Sequence, residues 1–232
     1  MTKRFYKEAA VTDVNGGFGI TLDGRAIKTP AGKSLVVPTK ALAEAIAAEW
    51  GAQSDEVDPQ AMPLMQLAGT AIDRVSGVRD GLIDGLLRYV DTDLLCYRAS
   101  QPPELVQRQT EVWQPLLDWA EETFGAHLKV VEGVLPVPQD EAAKTGFAAA
   151  MSDMDDWRLT ALAELVGVTG SIVVGFAMYA GALDGAQGFK VCHLDEDHQI
   201  ERWGEDAEAM ARREHVREEL QHAVTFLSLI NR

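Results

Sequence analysis

Between His193 and Glu208 the chain reads HLDEDHQIERWGEDAE, a stretch of seven carboxylates, two histidines, one arginine and one tryptophan. Three chemistries could use such a stretch: metal ligation, proton transfer, or an acidic face with an aromatic anchor for another protein. Spacing argues against the metal. His193 and His198 are five positions apart, about 140° around a helix axis at roughly 100° per residue, whereas two ligands on one helix face want i, i+4 spacing. Asp195 and His198 share a face, but the remaining histidines, His127, His215 and His222, are scattered. A structural zinc wants a set of four cysteines or histidines. Neither a metal nor a cofactor is expected.

A second carboxylate pair, Asp91 and Asp93 in YVDTDLLCYR, could serve as acid and base. On a strand the two would share a face; on a helix they would not. Local structure accounts for them as well: Asp91 or Thr92 caps a helix, and Arg98 pairs with a carboxylate. No serine, cysteine or histidine stands near them in a nucleophile arrangement, and Cys96, in an apolar run, reads as a core thiol. A small enzyme using Asp91 and Asp93 is therefore the second reading and a non-enzymatic protein the first. The GGFG at Gly16–Gly19 would need a preceding strand and a following helix to hold a dinucleotide. A further strand and a hairpin follow it instead, so it reads as a β-turn, and no GxxxxGK[ST] occurs anywhere. Of the five tryptophans, Trp50, Trp113, Trp119 and Trp157 read as core. Trp203 sits at a helix end among Glu201, Arg202, Gly204 and Glu205, where an aromatic beside carboxylates suits a protein contact and equally suits a helix–helix corner packed over the last helix.

The elements that must position these residues change character along the chain. Four short strands, RFYKEAAV, FGITL, RAIKT and SLVV, alternate with turns at Asp13–Gly17, Asp23–Gly24 and Pro30–Lys33, the pattern of a small antiparallel β domain. Helices take over at Thr39, an N-cap with apolar residues Leu42, Ala45, Ile46 and Trp50 behind it. Further helices are expected with stripes Leu64–Val75, Leu82–Val90 and Val106–Phe124, the last after the break at Pro102–Pro103. The stretch from Gly125 to Asp140 adds a strand or crosses the surface. Ser152 is expected to cap the next helix, whose first turn is acidic. One helix from about Ala186 runs to Gly204, and another from Glu205 to about Ile230. The expected fold class is α+β, with a β-rich domain over residues 1–60 and a mainly helical one over 61–232.

Composition bounds the function. The 232 residues are 47% hydrophobic and carry a formal net charge of −15. That sign argues against nucleic acid, whose binding requires lysine and arginine to displace counterions, and against anionic membranes. Cys96 and Cys192 form no CxxC and fit a reducing compartment. The N-terminus has no apolar stretch after its positive charges, so it is not read as a secretory signal. Leu165–Leu183 carries no charge and approaches the ~20 apolar residues of a membrane span. It reads as two buried helices broken near Gly170–Ser171, with Ser171 as N-cap, because no basic cluster marks a cytoplasmic end.

Five stretches in order, KRFYKEAAV, GGFGITLDGRAIKTPAGKSLVVPTKALAEAIAAEW, DTDLLCYR, WQPLLDWAEETFG and DEDHQIERWG, closely resemble the family of F1-ATP synthase assembly chaperones that act on the alpha subunit. The resemblance covers nearly the whole chain. It implies a non-enzymatic protein that is monomeric when free, binds the free F1 alpha subunit, shields its aggregation-prone interface and yields it to beta during assembly. It also implies an N-terminal β domain followed by a helical one. Mitochondrial relatives carry a presequence, and this chain begins almost at the family's RFY, so a bacterial cytoplasm is expected, or the mitochondrial matrix for a mature organellar form. The resemblance points to Glu196, Glu201, Trp203, Glu205 and Glu208 as the partner-binding face. After WG, where many relatives continue acid–aromatic–Ala-His-Asp, this chain departs with EDAEAMARRE. Trp50, Asp91, Asp93 and Arg98 also match family positions and are expected to hold the fold.

Overall fold

Alternating residues from Ala9 to Leu22 fold as an antiparallel hairpin. Strand β2 (Ala9–Val14) pairs with β3 (Gly17–Leu22) in the register Ala9↔Leu22 to Val14↔Gly17. At the next turn Asp23 and Gly24 both have positive φ, 49° and 77°, the two-residue geometry that matches strand twist, and β4 (Arg25–Ala26) returns along β3. Strand β5 (Val36–Val37) also pairs with β3 and completes a four-stranded sheet with Ile20, Leu22 and Val37 buried. Residues 2–133, 135 and 137–231 are described by this computed structural model. The expected first strand, RFYKEAAV, is extended in the sheet only from Ala9. The N–H groups of Lys7 and Glu8 go to the Asp23 carboxylate at 3.1 and 2.9 Å instead of a ladder partner, and β1 (Thr2–Lys3) pairs separately with β6 (Glu56–Val57).

Helix α1 (Lys40–Gly51) begins where its cap predicts. The Thr39 hydroxyl accepts from Leu42 N at 3.2 Å and donates to Leu229 O at 2.7 Å. Its apolar face, Leu42, Ala43, Ile46 and Ala47, is buried and packs on β2, β3 and α2 (Pro63–Thr70). Met62 gives α2 no side-chain cap. The Glu49 carboxylate supplies it from α1, accepting from Leu64 N at 2.7 Å and Met65 N at 2.9 Å. One π-helical turn, Ala71–Val75, leads into α3 (Ser76–Asp91), kinked at Val78 where φ is −135°.

The chain divides into two compact units. The first comprises Met1–Arg79, Asp155–Ala161 and Thr225–Arg232; the second comprises Asp80–Met154 and Leu162–Val224. In the second unit a 3₁₀ turn (Leu94–Cys96) and β7 (Tyr97–Arg98) precede α4 (Pro103–Phe124). Pro103 takes the first helical position, where no N–H is needed. The stretch after Gly125 does add a strand: β8 (Val131–Glu132) runs parallel to β7. Val134 and Pro136 of that stretch lie outside the described residues. Helix α5 (Glu141–Ser152) buries Ala143, Phe147 and Met151. A Cβ at Gly146 would stand 2.1 Å from Phe124 O, so glycine there permits the approach of α4. Phe124, Phe147 and Phe176 meet at 4.9–5.3 Å between ring centres, and buried Trp113 donates its indole N–H to Val191 O at 2.9 Å.

Ser152 does not cap α6 (Asp156–Thr169). It ends α5, donating to Ala149 O, and the Asp155 carboxylate accepts from Arg158 N at 2.8 Å in its place. Helix α6 stops before Gly170, whose φ is 66°. Ser171 then caps α7 (Ile172–Tyr179), accepting from Val174 N at 3.0 Å. No helix among the described residues is long and apolar enough to cross a membrane. The single helix expected from Ala186 to Gly204 is two, α8 (Gly185–Cys192) and α9 (Leu194–Trp203). They part at His193, whose backbone N and ring Nδ1 both lie 3.0 Å from Phe189 O while its ring stacks on Phe189 at 4.1 Å. Helix α10 (Ala207–Ile230) closes the chain. The fold is α+β: a small N-terminal antiparallel sheet and a larger helical part.

Candidate functional site

Helix α9 opens with Asp195, Glu196 and Asp197 in its first turn, where carboxylates suit the positive end of the helix dipole. Most of these charges are already matched within the second unit. Asp195 accepts from Gln109 Nε2 on α4 at 2.7 Å, and Gln109 Oε1 accepts from Ala99 N at 2.9 Å. Glu196 accepts from Arg213 Nη1 at 2.8 Å and also pairs with Arg212, while Arg213 reaches Asp197 as well. Arg213 is buried, and its guanidinium lies 5.1 Å from the Phe189 ring centre. Toward the end of α9, Glu201 takes both Nη groups of Arg108 at 2.9 and 3.0 Å. Those hydrogen bonds hold the Glu201 carboxyl below the usual carboxylate range. Arg202 beside it pairs with Glu104, so α4 and α9 are joined by two ion pairs of opposite sense.

The next residues are different. Gly204 turns the chain with φ 87°, and Asp206 caps α10 by accepting from Ala209 N at 2.9 Å. Trp203 on one side of the turn is 76% exposed, and Glu205 and Glu208 on the other are exposed too. Their three side chains make no hydrogen bond or ion pair among the described residues. Of the five sequence-marked residues, Glu196 and Glu201 thus lie in internal pairs, while Trp203, Glu205 and Glu208 stand free around one turn. The arginines that make this division were not visible in the sequence, because Arg108 is 93 residues from Glu201 and no spacing rule connects them.

Asp91 and Asp93 serve separate structural ends. Asp91, the last residue of α3, accepts from Gln139 N at 3.1 Å and pairs with Lys144 at 2.9 Å. Asp93 is fully buried. It accepts from Leu95 N at 3.0 Å, from the Ser171 hydroxyl at 2.9 Å and from Val173 N at 3.1 Å, so it caps the 3₁₀ turn and the start of α7 together. Burial pushes its pKa up to about 6 against the pull of those hydrogen bonds. The helix-capping role expected of Asp91 or Thr92 therefore falls to Asp93. Among the described residues Arg98 has no ion pair: Nε donates to Leu95 O at 2.8 Å, the guanidinium lies 5.3 Å from the Trp113 ring centre, and Nη2 is buried with no partner there. Cys96 is a buried thiol pushed up to about 12 by burial and by Asp93. Burial likewise lowers the His193 pKa. No three His, Cys, Asp or Glu side chains among the described residues gather closely enough to hold a metal ion.

The fold and the site together define an α+β protein whose marked polar residues are either internal supports or part of an exposed acidic turn. The chain matches the family model described as ATP12 chaperone protein over residues 3–121. It is 31% identical over 219 residues to the mitochondrial protein atp12 of Schizosaccharomyces pombe, covering 88% of this chain and 75% of that one. It superposes on the crystal structure of Atp12 from Paracoccus denitrificans with a TM-score of 0.93 at 38% identity, over 99% and 98% of the two chains. A solved structure from Agrobacterium tumefaciens gives 0.91 at 42% identity, over 99% and 85%. The chain belongs to the ATP12 chaperone family.

Proposed function

We propose that this chain is an ATP synthase assembly chaperone that binds the free F1 alpha subunit, covers its aggregation-prone interface and releases it for assembly into F1. It acts as a monomer, without catalysis or cofactor, in a bacterial cytoplasm or, in an organellar form, in the mitochondrial matrix. A subunit that will be buried in a large obligate interface exposes more apolar surface than a free protein tolerates. An escort must cover that surface and still let go.

The observation that carries the contact site is Trp203, an indole left in solvent at a turn whose neighbouring Glu205 and Glu208 carboxylates are unpaired among the described residues. Exposed tryptophan is expensive in water and effective as an anchor, and carboxylates around it speed and orient the encounter with a basic patch. Glu196 and Glu201 support this face by fixing α9 to α10 and α4. The test is charge reversal. Glu205→Lys with Glu208→Lys should weaken recovery of alpha with the tagged chaperone, and recovery equal to wild type would sink the assignment of this face.

A further inference from the structure

The first unit carries a groove that no motif marked. Two cavities of about 560 and 530 Å³ share Lys28 and Trp50 in their walls. The first is floored by Val57, Pro59, Met62 and Met65. The second is lined by Tyr6, Leu22 and Ile27, with Phe5 at its rim, 70% exposed. An edge-to-face ladder links them: Phe5 on Tyr6 at 5.3 Å and Tyr6 on Trp50 at 5.6 Å. The indole N–H of Trp50 is buried and has no acceptor among the described residues, a deficiency that folding normally avoids. Volumes of this size suit inserted side chains, and methionines in the floor adapt to different ones.

Charge selects the occupant. Residues 1–79 hold nine lysines and arginines and nine carboxylates, whereas residues 80–232 hold twelve and twenty-seven. The whole acidic excess therefore lies outside the sequence that builds the groove. Arg25 and Lys28 on its rim are exposed and make no ion pair or side-chain hydrogen bond among the described residues, and Arg74 lines the first cavity. Among the described residues each cavity has one carboxylate in its wall, and both are engaged: Asp73 in the first by the Thr29 hydroxyl at 2.7 Å and Ala31 N at 3.0 Å, and Asp23 in the second by Lys7 N at 3.1 Å and Glu8 N at 2.9 Å. A basic apolar segment would be drawn to the acidic residues elsewhere; an acidic one is repelled by them and finds free cations here.

We propose that this groove is a second docking surface, which binds an extended segment of a partner protein in which large apolar side chains alternate with carboxylates. The apolar side chains enter the cavities on either side of Trp50, and a carboxylate meets Lys28. The surface shares no residue with the Trp203 turn and does not depend on the partner being alpha.

The probe is a short fluorescein-labelled peptide of alternating leucine and glutamate, titrated into the full chain and read by anisotropy. Saturable binding is expected, weakened about tenfold by Arg25→Glu with Lys28→Glu, which equals about 1.4 kcal/mol. It should be unchanged in Trp203→Ala. Both charge-reversed residues are on the surface, and an unaltered melting curve will show that the variant folds. No saturable binding, binding indifferent to the Lys28 change, or binding lost in Trp203→Ala would each overturn the proposal. So would concentration-dependent dimers in sedimentation that Lys28→Glu abolishes, since the occupant would then be a second copy. Recovery of alpha by the same variants, measured separately, shows whether a failure here touches capture at the Trp203 turn.

Discussion

Arg108 on α4 and Glu201 on α9 meet in a two-point ion pair, 2.9 and 3.0 Å, although 93 residues separate them. The pair takes Glu201 out of the pool of free carboxylates and leaves Glu205, exposed after Trp203, with no partner among the described residues. Charge reversal should therefore sort the two by kind of effect. Glu201→Lys sets a lysine against Arg108 and lowers the melting temperature. Glu205→Lys, a change on a solvated turn, shifts stability by no more than about 0.5 kcal/mol. Thermal unfolding followed by circular dichroism checks both, and equal destabilisation by the two would contradict the assignment.

Trp203→Ala separates binding from folding more sharply. The indole is mostly solvated, so its removal leaves stability within about 0.5 kcal/mol. If it anchors alpha, affinity falls by at least about 2 kcal/mol, roughly thirtyfold. Titration of refolded alpha with wild-type and variant chaperone measures the difference.

Asp93 gives a pH signature. Burial raises its folded pKa to about 6, above the ~3.9 of an unfolded aspartate. The folded state then holds the proton more tightly than the unfolded chain. Its contribution to stability is fully present below about pH 4 and is lost as pH rises through about 6. Asp93→Asn cannot ionise, so the difference in unfolding free energy between wild type and variant should change between pH 4 and 6 and be flat above it. Urea denaturation across that range is the check. Asp93→Ala, which leaves the N–H groups of Leu95 and Val173 and the Ser171 hydroxyl without their acceptor, should cost about 3 kcal/mol or more.

Glu49 caps a helix that is not its own. Glu49→Ala removes the acceptor for Leu64 N and Met65 N and should cost about 1 kcal/mol. Glu49→Gln keeps an acceptor oxygen and should cost less. Equal urea midpoints for Glu49→Ala and wild type would show that water substitutes for the carboxylate.

What the sequence disclosed follows from how far apart the cooperating residues lie. Thr39 and Ser171 were legible as caps because each accepts from an N–H three residues on, and Asp23–Gly24 because a two-residue hairpin is chosen by its own φ angles. Ser152 is not the cap its type suggests, because it ends one helix while Asp155, three positions later, caps the next. The break at His193 depends on Phe189 ring stacking, which helical periodicity does not record. The supports contributed by Glu49, Asp93 and Arg108 reach 15, 80 and 93 residues away, and local patterning is silent at those ranges. The acidic stretch itself was plain. Which of its members stay free was not, since that depends on arginines from α4 and α10.

The most direct test of the account is co-expression of this chain with the F1 alpha subunit of the same organism, followed by size exclusion. A soluble one-to-one complex is expected, with aggregation of alpha when the chain is absent and loss of the complex with Trp203→Ala combined with Glu205→Lys. Alpha that stays soluble alone, or that never co-elutes with the wild-type chain, would contradict it.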